Sequence, residues 1–241
     1  DDAMDVSDGG GLLLSPAFVD VFGVAVIKRG PAFKSLFAPA DSFVANCTSL
    51  AAALGAPKRP PVVVQGARGS GRTAAIKELA ARCGAAIREF VLDEACDARA
   101  LVGYHEFAES GRFVWRRGPL ALAVERGEWA VVEDVDRASL EVLALLKPLA
   151  EGSALEAPGR GLASEAVARH EGFRLLGTSV ANEVRFLGKE KWVQVDCSPL
   201  TRDEVMGIID LPETVAAAVV DAADGNARDA LKISDRVRAR V

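Results

Sequence analysis

Apolar residues between Pro61 and Val195 fall into short runs. They are Pro61-Val62-Val63-Val64-Gln65, Ile87 to Leu92, Trp129-Ala130-Val131-Val132, Phe173 to Leu176 and Trp192 to Val195. The runs at Pro61, Trp129, Phe173 and Trp192 read as strands of the type buried in a parallel sheet, and Ile87 to Leu92 suits a further strand. Between them lie segments that suit helices. Arg72 to Cys83 is stopped by Gly84. Pro119 to Arg126 has proline in its first turn and Gly127 after its end, and Ser139 to Leu149 follows the next strand. Strand and helix alternate, which predicts a parallel sheet with helices on both faces.

The flanks read differently. Residues 1–10 are acidic and Gly-rich and read as a disordered tail. Residues 12–28 hold short apolar pieces of undetermined type, and Pro31 to Asp41 is loop-like. Asn46 to Leu54 suits a helix that Gly55 and Pro57 would end. Gly111 to Trp115 fits one arm of a hairpin, and Pro158-Gly159-Arg160-Gly161 a turn. From Thr201 onward the pattern is helical only. The expected division is a tail and packing segment at 1–45, an α/β nucleotide-binding domain at 46–198, and an incomplete helical lid at 199–241.

Half of the 241 residues are hydrophobic, enough to bury a full core. The net charge of -5 argues against general nucleic-acid binding, although Arg112, Arg116 and Arg117 could form a local basic patch. Cys47, Cys83, Cys96 and Cys197 form no C-x-x-C pair and read as buried, reduced thiols. His105 and His170 lack metal-ligand spacing. No run of about 20 apolar residues predicts a membrane helix, and the start lacks the plan of a signal peptide.

Chemistry enters at Gly66-Ala67-Arg68-Gly69-Ser70-Gly71-Arg72-Thr73. The segment leaves a strand, opens a helix and matches the phosphate-loop pattern G-x-x-x-x-G-K-[ST] at every fixed position but one. Glycines let successive backbone N–H groups turn toward phosphates, and the helix N-terminus adds partial positive charge. Thr73 is placed to put its hydroxyl on Mg²⁺. The departure is Arg72, which keeps the charge of lysine but is broader and planar. The same stretch, without ligand, would be a Gly-rich strand–helix turn.

A second signal closes the Trp129 strand with Glu133-Asp134. In P-loop ATPases such a strand carries an Asp on the metal side and then a Glu that activates water. Here the order is reversed. Glu133 can reach the metal shell, whereas Asp134 falls one methylene short of the usual base. Taken alone, the pair also fits solvated acids at a strand end.

With both motifs in hand, the chain resembles the dynein-related branch of AAA+ proteins. Within that branch it is most similar to the first of six tandem modules in the nuclear members that assemble the large ribosomal subunit. The resemblance runs from about Pro61 to Arg236. It rests on Gly111-Arg112-Phe113-Val114-Trp115, Gly118-Pro119-Leu120, Gly127-Glu128-Trp129, Glu133-Asp134-Val135-Asp136, Pro158-Gly159-Arg160-Gly161 and Asn226-Ala227-Arg228-Asp229-Ala230-Leu231. It implies a P-loop NTPase (AAA+) fold with a helical lid, ATP and Mg²⁺ as cofactors, and neighbouring AAA+ modules in a ring as partners. Pre-60S ribosomal particles in the nucleus would be the target, with no direct nucleic-acid or membrane contact. It implies that Gly66 to Thr73 cradle ATP, that Glu133 and Asp134 are the metal-side and catalytic acids, and that Arg228 senses the γ-phosphate.

Departures from the family pattern bear on activity. Val180 stands near the slot where active relatives orient water with Asn, and Asn182 lies two residues on. Arg185-Phe186-Leu187-Gly188-Lys189-Glu190-Lys191 replaces the segment carrying an arginine finger. Together with Arg72 and Asp134, these changes read as a module that holds nucleotide better than it hydrolyses it. Two alternatives stand beside this: an active MoxR-like remodelling ATPase, and a nucleotide-free structural ring module.

Overall fold

Hydrogen bonding in the computed structural model gathers the apolar runs into one five-stranded parallel sheet. The structure describes residues 18–31, 40–56, 58–92, 98–107, 111, 113–157, 165–180, 192–209 and 211–239. The chain opens with a hairpin of β1 (Phe18–Val21) and β2 (Val24–Ile27), followed by α1 (Asp41–Leu54), β3 (Val62–Gln65) and α2 (Arg72–Cys83). Next come β4 (Ile87–Val91), α3 (Ala98–Val102), the paired β5 (Gly103–Phe107) and β6 (Phe113–Arg117), α4 (Pro119–Arg126) and β7 (Trp129–Glu133). Then follow α5 (Leu140–Ala150), the hairpin of β8 (Leu155–Ala157) and β9 (Glu165–Val167), β10 (Arg174–Ser179) and β11 (Val193–Asp196). Three helices close the chain: α6 (Arg202–Ile208), α7 (Glu213–Ala222) and α8 (Ala227–Arg238).

The strand order is β11-β3-β10-β7-β4. Successive side chains of a strand point to opposite faces, so each run feeds two cores. Val63, Ala130, Val132 and Leu175 pack with α4 and α5 on one face. Val62, Val64, Val131 and Leu176 pack with α1, α2 and the β1–β2 hairpin on the other. A third cluster, including Val205, Val219, Val220 and Ala230, holds α6, α7 and α8 together. The chain leaves β3 for the far edge strand β4, so the order of connection reverses between β3 and β10. Crevices at such reversals, at the carboxyl ends of the strands, are where open α/β sheets bind ligands.

Several boundaries differ from the sequence-based expectation. Helix α1 begins at Asp41, within the segment expected to be loop, because Phe43 lies on the same buried face as Cys47, Leu50 and Leu54. The undetermined pieces at 18–27 form a hairpin, whose Phe22-Gly23 turn takes positive φ at both residues and matches the strand twist. The arm expected at 111–115 is β6, which starts at Phe113. The change from strands to helices falls between Asp196 and Arg202. The expected tail at 1–10, the turn at 158–161 and Cys96 lie outside the described residues, while Cys47, Cys83 and Cys197 are buried and free. Among the described residues no helix is long and apolar enough to cross a membrane.

Candidate functional site

The loop from Gly66 to Thr73 leaves the carboxyl end of β3 and enters α2. Its start is anchored by the Gly66 N–H, which donates to the Ser179 carbonyl at 3.2 Å. Its middle is held by the Cys197 thiol, which donates to the Ser70 carbonyl at 3.2 Å. At Gly69 φ is +83°, and a Cβ there would collide with the Asn226 side chain. Asn226 Nδ2 donates to the Arg68 carbonyl at 2.9 Å, while its Oδ1 accepts from the N–H groups of Arg228 and Asp229. One amide thus clips the loop and caps α8.

The residues present fit a polyphosphate. The first N–H groups of any helix lack intrahelical acceptors, and in α2 no side chain caps them. Beside them, the Ser70 hydroxyl and Arg72 Nη1 are buried without a hydrogen-bond partner. A cluster of donors kept from solvent at a helix N-terminus is chemically suited to anionic oxygen.

The acid side is linked to this loop. Glu133, the last residue of β7, accepts from the Thr73 hydroxyl at 2.7 Å and from the Thr178 hydroxyl at 2.9 Å. Thr178 Oγ1 in turn accepts from the Asp134 N–H at 3.1 Å. Asp134 takes a left-handed backbone, φ 48° and ψ 52°, as the chain turns into a short 3₁₀ segment. Its carboxylate lies 3.6 Å from Arg72 Nη1. The two residues that depart from the phosphate-loop and acid-pair patterns therefore face each other.

A cavity of about 260 Å³ opens beside the loop. Gly69 to Ala74 form one wall. Phe43, Val205 and Ile208 supply apolar surface, and α8 contributes Ala227, Arg228 and Leu231. A mostly apolar cleft ending in backbone donors suits a ligand with one flat and one anionic end.

The structure brings Gly66, Ala67, Arg68, Gly69, Ser70, Gly71, Arg72, Thr73, Glu133 and Asp134 to this one carboxyl edge. Arg228 lines the cavity and forms no ion pair among the described residues, and the neighbouring Asp229 faces Lys232 instead. Val180 follows β10 and is half-buried. Asn182 and the segment Arg185 to Lys191 lie outside the described residues. At the suggested basic patch, Arg116 and Arg117 pair with Glu106 and Glu125 at 2.6 Å and 3.1 Å, and Arg112 lies outside the described residues. Sequence reasoning assigned no role to Thr178 or Cys197. Their signals were a hydroxyl ending a buried strand and a thiol just after one.

A phosphate loop at a sheet reversal, an acid-tipped neighbouring strand and a helical unit beside the loop define a P-loop domain of the AAA+ class. Residues 61–197 match the model of the AAA domain (dynein-related subfamily), and the chain belongs to that family. The family binds nucleotide with Mg²⁺. Within it, the chain is 38% identical over 135 residues to midasin of Dictyostelium discoideum and 30% identical over 90 residues to midasin of Giardia intestinalis. These matches take in 55% and 37% of this chain but 2% of each midasin, so the chain spans a small part of those relatives. Protein NorQ of Paracoccus denitrificans is 31% identical over 91 residues, 38% of this chain and 33% of NorQ. Two mutant forms of RuvB from Thermotoga maritima share the fold, with TM-scores of 0.58 and 0.59 at 17% identity. They cover 80% and 81% of this chain, which covers 61% of each.

Proposed function

We propose that this domain is the ATP-holding, hydrolysis-impaired module of a midasin-like protein, seated in a ring of AAA+ modules that remodels pre-60S particles in the nucleus. The observation that carries the reading is the contrast between two neighbouring contacts. The Thr73–Glu133 hydrogen bond at 2.7 Å prepares a hydroxyl and a carboxylate for Mg²⁺. The Arg72–Asp134 approach at 3.6 Å sets the loop cation against the acid that would activate water. When bound, Mg²⁺ would neutralise phosphate charge between Thr73 and Glu133. The loop amides and Arg72 would orient the phosphates. The apolar cavity would take the base, and Arg228 would lie within reach of the anionic end. An Asp134 carboxylate that is short and drawn toward Arg72 is poorly placed to reach an attacking water. The midasin likeness supports the ring and ribosomal setting.

The test is a titration of the chain with a fluorescent ATP analogue. Binding that depends on Mg²⁺ and weakens at least about tenfold in Thr73→Ala is expected, with phosphate release near background. No binding at millimolar nucleotide would overturn the reading. Sedimentation of the parent protein with nuclear pre-60S particles tests the setting. The NorQ likeness supports a second reading, an active MoxR-like remodelling ATPase, for which Mg²⁺-dependent phosphate release abolished by Thr73→Ala is the expected result.

A further inference from the structure

We propose that the end of the sheet opposite the phosphate loop carries a second anion site, built from Arg29, Arg59, Arg169 and Arg174, which takes a free oligophosphate. Arg174 opens β10 and is only 5% exposed. Its Nη2 donates to the Leu54 carbonyl at 3.3 Å, while its Nη1 is sealed from solvent and has no acceptor. Above it, Arg169 donates to the carbonyls of Leu149 and Arg59 at 3.2 Å and 3.5 Å. Arg29 donates to the Glu171 carbonyl at 3.2 Å, and Arg59 donates to the same oxygen. Arg29 and Arg59 thus share one carbonyl and Arg169 holds the carbonyl of Arg59, while Arg174 lies close enough to feel the charge of all three. Arg59 holds a left-handed φ of 49°, a conformation costly for a side-chain-bearing residue and concentrated at functional sites. Gly172 leaves room for Arg29, whose Nη1 would lie 3.1 Å from a Cβ there.

Among the described residues none of the four arginines forms an ion pair, although the chain carries 34 acids. Burial, with Arg59, Arg29 and Arg169 crowding it, presses Arg174 down to about 10. Arg29 and Arg169 are lowered by burial first and by Arg59 second. Glu171 acts on Arg29, and the Cys83 thiol acts on Arg29 and Arg174; both oppose this weakly. The Leu54 carbonyl ends α1 and the Leu149 carbonyl lies in the last turn of α5, and each helix C-terminus carries roughly half a negative charge. Two helix ends and Glu171 offset about two of four positive charges. The remainder calls for a dianion or higher, and planar forks match phosphate oxygens in pairs. The outer three arginines would contact the ligand, with Arg174 beneath them as fixed charge.

Tripolyphosphate is the probe, titrated calorimetrically into the Arg72→Ala protein so that the phosphate loop has lost its cation and is weakened. One site is expected, weakened at least about tenfold in the further variant Arg59→Ala/Arg169→Ala. No heat in the Arg72→Ala protein, or affinity unchanged by the arginine substitutions, would overturn the proposal. If the alanine pair fails to fold, as judged by circular dichroism, Arg59→Lys/Arg169→Lys keeps charge but not the fork and should still weaken binding several-fold. Affinity retained in that lysine pair would equally count against it. A short uridine oligonucleotide that displaces the probe at equal phosphate concentration would overturn the assignment to a free oligophosphate.

Discussion

The two sides of the sheet's carboxyl edge treat their polar groups differently. On the α2 side the loop is clamped from three directions, by Ser179, Cys197 and Asn226, while the Ser70 hydroxyl and Arg72 Nη1 are left without a hydrogen-bond partner. On the β7 side Glu133 is tied to Thr73 and Thr178, while Asp134 is drawn toward Arg72. A longer cation and a shorter acid have replaced the usual pair, and they meet across the site. Charge is kept while reach is altered, and on the proposed reading that difference separates holding a ligand from activating water.

The largest expected effect comes from restoring the usual lengths. Arg72→Lys with Asp134→Glu should raise Mg²⁺-dependent phosphate release about 100-fold, the scale set by an ångström of reach. Each single change should give less. A double variant as slow as the parent would break the comparison and move the defect to other positions such as Val180. A smaller effect is expected on the binding side. Gly69→Ala places a Cβ against Asn226 at a left-handed φ, a strain of about 1–2 kcal/mol. Nucleotide titration should show binding weakened about tenfold, and unchanged affinity would mean that the loop tolerates release from α8.

The smallest effect concerns Glu204, which holds the helical unit to α1. Its carboxylate accepts from the Ser42 N–H at 2.6 Å and closes a capping box with Thr201. These backbone hydrogen bonds, that from Ser42 foremost, pull its pKa down to about 2. A depressed carboxylate contributes stability that is full above the ordinary value near 4.3 and is lost as pH falls through about 2. Glu204→Gln should lower the thermal midpoint slightly at pH 7, with the gap to the parent closing between pH 4 and pH 2. A gap that is constant with pH would remove the charge from the account.

Much of this was legible in the residues. The central strands β3 and β7 announced themselves as short Val-rich runs and β10 as a short, mostly apolar one, because burial on both faces removes alternation. The phosphate loop was legible because its glycines are required by backbone geometry. The β1–β2 and β8–β9 hairpins were not, since strands of three or four residues carry too little period to read. Thr178 was hidden because its partner Glu133 is 45 residues away, and only the sheet register joins them. The four arginines were invisible for the same reason, lying at the ends of different elements.

Asn226 has a mechanical consequence. Its amide nitrogen grips the loop and its amide oxygen grips the first turn of α8, so the joint is a single rigid plane three atoms across. A swing of the C-terminal helices would load both contacts at once, because the amide plane carries its nitrogen and oxygen together.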